Sequence, residues 1–316
     1  MHKMHDRDCL HRFMFEQYPI RGHLVHLDAA WRALIEHREY PAPIRDTLGE
    51  AVAASLLLAA TIKFEGVLSL QLQGDGPVHL MLAQCTGGLG VRGLARYKEG
   101  GFAGGDAGVN TPGGAAGIAD LIGAGNLTVT LETDDASQRY QGIVPIAGRR
   151  LAESLQVYFE NSEQLPTRLW LHADADGASG MLLQRLPIAD ASPRAHAADA
   201  AAVDDAWRRV QLIGETLTPG ELRTLGDAEI LHRLFNEDDV RLYEPTPVYF
   251  RCRCSRERVG GMLQSLGEAE CRSVLAERGE VEVRCDFCNR AYVFDAVDVE
   301  QLFNAGVAGA SGSSLH

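Results

Sequence analysis

Val67-Leu-Ser-Leu-Gln-Leu-Gln73, then Gly74-Asp-Gly76, then Val78-His-Leu-Met-Leu-Ala83, is the stretch whose reading decides the fold. Apolar and polar residues alternate through its first limb, the period of two that gives a strand one buried face. The Gly-Asp-Gly break supplies turn residues and the second limb resumes as a strand, so the segment predicts a β-hairpin. A second hairpin is predicted from residues 127–133 and 140–146 across an Asp134-Asp135 turn, and short strands follow at 169–172 and 181–186. Strands joined by tight turns pair antiparallel, whereas a doubly wound parallel sheet needs a crossover between strands. The expected class is therefore α+β, an antiparallel sheet packed with helices.

Helical patterns surround these strands. Asp28 is placed to cap a helix carrying Trp31, Leu34 and Ile35 that ends near Tyr40-Pro41. Residues 46–62 read as a helix apolar on nearly every side, the expected buried centre of the domain. Residues 149–164 form an amphipathic helix with Leu151, Leu155, Tyr158 and Phe159 on one face. Residues 189–202 turn to Ala, Asp, Ser and Pro without periodicity, the best linker candidate. Beyond it, Trp207, Val210, Ile213 and Leu217 recur at helical spacing, as do Ile230, Leu231, Leu234 and Phe235 after an Asp227 cap. Helices this short depend on a neighbour. Either the large domain or the C-terminal region can supply it, and the sequence does not choose.

The 316 residues are too many for one ordinary core, and 46% hydrophobic with 23% charged residues is the composition of a folded chain. The expected organisation is a core domain over 1–190, a short helical linker region over 191–247, and a small C-terminal four-cysteine zinc domain over 248–316, ending in a frayed Gly, Ala and Ser tail from Gly306. A net charge of −13 repels phosphate backbones, so nucleic acid is not expected as the main partner despite a local cluster of Arg251, Arg253, Arg256 and Arg258. The first residues carry charges throughout and do not read as a secretory signal, and the longest apolar run, 51–62, is short of a membrane span. A cytoplasmic location is expected. There, seven cysteines with four in close pairs favour metal or redox chemistry over a static disulfide framework.

Those pairs are Cys252-Arg-Cys254 and Cys285-Asp-Phe-Cys288. Two close pairs separated by a foldable segment are how a chain brings four thiolates to one tetrahedral zinc ion. Such a site is closed, with no coordination position left for substrate, so it is not a hydrolytic centre. The plain alternative is a purely structural zinc. Three features favour a switch. The surrounding domain is small enough to depend on its metal. Arg251, Arg253, Arg256, Arg258, Arg284 and Arg290 flank the pairs, and positive charge keeps released sulfurs in the reactive thiolate form. Each cysteine has a resolving thiol two or three residues away, so a sulfenic acid on one can condense with the next.

Other readings find less support. Gly88-Leu-Gly90-Val-Arg-Gly93 fits a dinucleotide-binding pattern but meets further glycine pairs instead of opening a helix, and is expected to be a flexible surface loop. No Walker, HExxH or GxSxG sequence occurs, and no enzymatic turnover is expected. A zinc-ribbon nucleic-acid module is the main rival, opposed by the acidity of the chain. His23 and His26 lie three apart without a completing ligand, and His37, His79, His172 and His232 stand alone, so no role is assigned to them. Nor is one assigned to Cys9, Cys85 or Cys271.

At the cysteines the sequence resembles the redox-regulated 33 kDa chaperonin family of bacterial heat-shock holdases. Phe250-Arg-Cys-Arg-Cys-Ser-Arg-Glu-Arg258, Val281-Glu-Val-Arg-Cys-Asp-Phe-Cys288 and Tyr292-Val-Phe-Asp295 carry the resemblance in the zinc domain. Lys63-Phe64, Gln71-Leu-Gln-Gly-Asp-Gly-Pro77, Ser162-Glu-Gln-Leu-Pro-Thr-Arg168 and Gly180-Met-Leu-Leu-Gln184 extend it through the larger domain. The resemblance implies zinc on Cys252, Cys254, Cys285 and Cys288 in a reduced, inactive state. It implies disulfides Cys252 to Cys254 and Cys285 to Cys288 after oxidation, a choice that spacing alone does not make among three pairings. It further implies zinc release, destabilised linker helices, and a dimer that binds unfolding client proteins without ATP.

Overall fold

The predicted hairpin of 67–83 is present as β3 (Gly66–Gly74) and β4 (Val78–Thr86), paired antiparallel with Leu70 opposite Ala83 and Leu72 opposite Met81. The computed structural model describes residues 7–98, 117–133, 135, 139–163, 165–187, 190, 195 and 199–308. Within the first unit, Met1–Arg251, it shows two sheets. One holds β1 (Asp8–Phe15), β2 (Ile20–Leu27), β8 (Thr167–Ala173), β9 (Ala178–Arg185) and β10 (Val240–Leu242) in the order β10-β1-β2-β9-β8, with β11 (Thr246–Pro247) also on β1. The other adds β5 (Gly90–Tyr97), β6 (Gly125–Thr133), β7 (Arg139–Pro145) and β12 (Tyr249–Phe250) in the order β12-β5-β4-β3-β6-β7. Among the described residues every pairing in these sheets is antiparallel except that of β12 with β5.

Helix α2 (Ala42–Thr61) explains how the sheets are held. It packs on β2, β8 and β9 and also on β3, β4 and β5, and its residues from Ala51 to Ala59 are buried all round. A helix polar on one side could not serve two sheets, so the all-apolar pattern matches its place. The helix starts earlier than the pattern suggested, with Pro43 in its first turn where no backbone donor is needed. Helix α1 (Ala29–Ile35) is also where expected, but Asp28 does not cap it. Asp8 on β1 does so instead, its carboxylate accepting from the backbone N–H groups of Asp28, Ala29 and Ala30 at 2.8 to 3.0 Å. Helix α4 (Leu151–Tyr158) buries Leu151, Leu155 and Tyr158, and a π-helical turn, Phe159–Glu163, keeps Phe159 inward. Residue 164 of the predicted helix lies outside the described residues.

Of the glycine-rich stretch 88–93, Gly88 lies in an exposed turn as a loop would, but residues 90–93 do not: they open strand β5, with Gly90 and Gly93 buried and Val91 opposite Cys85. Absence of a side chain is what the place requires: a Cβ on Gly93 would press on Leu48 and Val52 of α2. Most of 189–202 lies outside the described residues, apart from 190, 195 and 199–202, of which 200–202 begin α5 (Ala200–Gly214).

Together with α6 (Pro219–Thr224) and α7 (Asp227–Phe235), α5 belongs to the first unit. Trp207, Val210, Leu217, Ile230, Leu234 and Phe235 form one cluster with Phe13, Phe15, Ile20, Leu24, Trp170, Met181 and Leu183 of the first sheet. Of the two neighbours the sequence left open, this is the large domain. Polar ties reinforce the layer: Arg223 pairs with Asp28 at 2.9 Å, and Arg209 holds Asp238 through both guanidinium nitrogens at 2.9 and 2.5 Å.

The second unit, Cys252–His316, is built from α8 (Arg256–Leu266), α9 (Glu268–Arg278), the hairpin of β13 (Val281–Arg284) with β14 (Ala291–Phe294), and α10 (Ala296–Ala308). Its buried core is Val259, Leu263, Cys271, Val281, Tyr292, Phe294 and Val299. No described helix is long and apolar enough to cross a membrane.

Candidate metal centre

Cys252 and Cys254 lie in the extended segment before α8, and Cys285 and Cys288 lie in the turn between β13 and β14. Local chemistry shapes both. Ser255 caps α8 by accepting from the Arg258 N–H, which stops the cysteine segment from joining the helix. In the hairpin turn the Cys285 N–H donates to the Arg290 carbonyl at 3.0 Å and the Asn289 N–H to the Cys285 carbonyl at 2.8 Å. Asn289 takes a left-handed conformation with φ of 54°, which asparagine tolerates better than most residues.

The four sulfurs converge. Cys252 Sγ lies 3.3 Å from Cys254 Sγ and 3.5 Å from Cys285 Sγ, and Cys254 Sγ lies 3.4 Å from Cys288 Sγ. All four are free thiols, half-buried, with ligand atoms within 4.8 Å of one another. A zinc tetrathiolate with bonds of about 2.3 Å has sulfur edges of about 3.8 Å, so a small outward adjustment admits the ion. The donor set fits zinc: four soft sulfurs and no hard oxygen ligand among them.

The thiols are not equivalent. Burial opposes ionisation of Cys254, yet hydrogen bonds from the Tyr292 hydroxyl, at 3.1 Å, and from the neighbouring thiols outweigh it and bring the group to about 7. Burial pushes Cys252 and Cys288 up. Tyr292 stands within a motif noted in the sequence, but only the hairpin register carries its hydroxyl to Cys254.

The flanking arginines divide by task. Arg256 donates to the Val293 carbonyl at 2.8 Å, pairs with Asp298 at 2.7 Å and stacks over Phe294. Arg258 donates to the Arg253 carbonyl, and Arg284 pairs with Glu282. Arg290 is the one whose own pKa is raised first by Tyr292 and then by the charge of Cys254 and Cys288. Cys271 takes no part among the converging sulfurs: it is buried in the core, its thiol directed at the Leu263 carbonyl. Cys85 is buried in β4, which pushes its thiol up to about 12. Two of the histidines left without a role by sequence, His23 and His26, prove to be buried. Burial, with Arg21 and Arg12 nearby, holds His23 neutral at about 3, while His26 faces Asp227 together with His11.

A family model described as Hsp33 protein matches residues 8–295. A 33 kDa chaperonin of Nitrosococcus oceani is 47% identical over 313 residues, covering 99% of this chain and 100% of the relative. Its counterpart from Methylobacillus flagellatus is 43% identical over 95% of this chain and 96% of its own length. The crystal structure of the 33 kDa chaperonin from Thermotoga maritima superposes with a TM-score of 0.75 at 23% identity, covering 94% of this chain and 99% of that one, a likeness of fold.

Proposed function

The chain belongs to the Hsp33 protein family, and from that premise we propose that it is a redox-regulated, ATP-independent holdase, held inactive by zinc on Cys252, Cys254, Cys285 and Cys288. The observation that carries this reading is the convergence of four thiols inside a unit whose own apolar core is thin. A zinc ion on these sulfurs would tie the segment before α8 to the β13–β14 hairpin, since Cys252 and Cys254 lie in the one and Cys285 and Cys288 in the other. An oxidant of the peroxide or hypochlorite class takes two electrons from each cysteine pair. Two thiolates become one disulfide, twice over, and the four residues that would hold a zinc ion lose the anionic sulfurs that would bind it. The pairing follows the family resemblance, Cys252 with Cys254 and Cys285 with Cys288. Without the ion the unit loses the larger part of its folding energy, since structural zinc contributes about 10 to 16 kcal/mol in small domains.

Unfolding then uncovers Val259, Leu263, Val281, Phe294 and their neighbours, apolar surface of the kind that captures unfolding clients. The layer formed by α5, α6 and α7 is a second reservoir, since lifting it exposes Phe13, Phe15, Trp170 and Met181 on the sheet. The active form is a dimer acting in the cytoplasm, with no catalytic turnover. The test follows zinc release and suppression of client aggregation together as the reduced protein is treated with hypochlorite. Both should rise in step. Zinc that stays bound, or leaves without antiaggregation activity, leaves a purely structural metal.

A further inference from the structure

We propose that Cys9, His11 and Asp227 form a second metal site, for a borderline divalent ion of the zinc class, that staples helix α7 to the face of β1 and β2. The site shares no residue with the four-cysteine cluster and does not depend on the function assigned to it.

Strand geometry assembles the donors. Cys9 and His11 are two apart on β1 and so share a face, and Cys9 lies directly opposite His26 of β2. Asp227, the first residue of α7, meets them from the helical layer. His11 Nδ1 is 3.7 Å from Cys9 Sγ and 2.5 Å from one Asp227 oxygen, and the three ligand atoms lie within 4.8 Å of one another. All three residues are buried, at 6%, 8% and 8% exposure. Thiolate, imidazole and carboxylate are three different donor types, and their combination suits zinc better than a hard ion such as magnesium.

Two further observations point to a ligand. Both Asp227 oxygens and His26 Nε2 are buried and lack an aligned hydrogen bond, although His26 Nε2 is only 2.6 Å from the second Asp227 oxygen. Asp227 thus meets His11 and His26 as a close charge contact and not through aligned hydrogen bonds. His26 is itself anchored, its Nδ1 3.2 Å from the Ser179 hydroxyl, which suits it to orient a ligating carboxylate from the far side. A cavity of about 240 Å³ lined by His11, His26, Asp227 and Arg7 adjoins the group and leaves room for water as a fourth ligand. Charge also balances: one thiolate and one carboxylate neutralise one divalent ion, the arrangement that costs least to bury.

The test uses the tag-free full chain with its four C-terminal cysteines intact, reduced, equilibrated with zinc and freed of loose metal. We expect the chain to carry one zinc more than its Cys9→Ser variant, and its thermal midpoint to exceed that variant's by more when zinc is present than when it is chelated. His11→Gln provides a second route to the same loss of one zinc should Cys9→Ser disturb folding, which far-ultraviolet circular dichroism reads. Equal zinc content in the parent chain and the folded variants overturns the proposal. In that case the Cys9, His11, Asp227 and His26 group is an ion-paired fastening alone.

Discussion

The two units solve the problem of staying folded in opposite ways. In the first, α2 is buried between two sheets and a further layer of helices covers the outer face of one of them, so apolar burial is spread over dozens of side chains. In the second, seven buried residues form the core among the described residues, and four half-buried thiols sit beside it. A domain of that size buries too small a share of its surface to be secure, which is the situation in which a metal supplies the difference. Stability in the first unit is distributed and hard to remove at one point. In the second, on the function proposed above, it is concentrated on four sulfurs, and therefore switchable.

The largest effect expected from breaking this contrast is metal loss. With zinc held as proposed, Cys285→Ser should cost the second unit most of the roughly 10 to 16 kcal/mol that a structural zinc contributes in small domains, and collapse amide-exchange protection across α8, α9 and the β13–β14 hairpin. The two sheets and α2 of the first unit should keep their protection. Protection retained in both units would show a core that stands without its metal.

Next in size is Trp207→Ala, which removes a buried indole from between α5 and the first sheet. It should destabilise the first unit by about 3 to 5 kcal/mol in denaturant titration while leaving zinc content unchanged. It should also raise antiaggregation activity before any oxidant is added, by loosening the helical layer. A loss of zinc in this variant would mean that the units are not energetically separate.

The smallest effect is expected at Cys271→Ala. Removing one buried sulfur should cost about 1 kcal/mol, the value of a methylene-sized group. Zinc stoichiometry and oxidative activation should not change. Loss of zinc would place Cys271 in the ligand set and break the assignment of the four sulfurs.

Local features are legible in the chain itself. The two hairpins announce themselves because alternation and turn residues act within a few positions, and α2 because its apolar character extends all round the helix. The cysteine pairs are legible for the same reason, since residues two or three apart are held near each other by the backbone. What misleads is composition taken without its surroundings. Glycines at 88, 90 and 93 look like loop, yet Gly93 is small because α2 passes over it. Asp28 looks like a cap, yet Asp8 from a neighbouring strand takes the backbone donors.

The sequence by itself determined the antiparallel α+β class, the buried central helix and the identity of the four converging sulfurs, because each rests on short-range spacing. Only the tertiary structure decided that α5, α6 and α7 lie on the first sheet, that Tyr292 reaches Cys254, and that Cys9, His11, His26 and Asp227 meet. Those contacts join residues far apart in the chain, and strand register and helix docking bring them together.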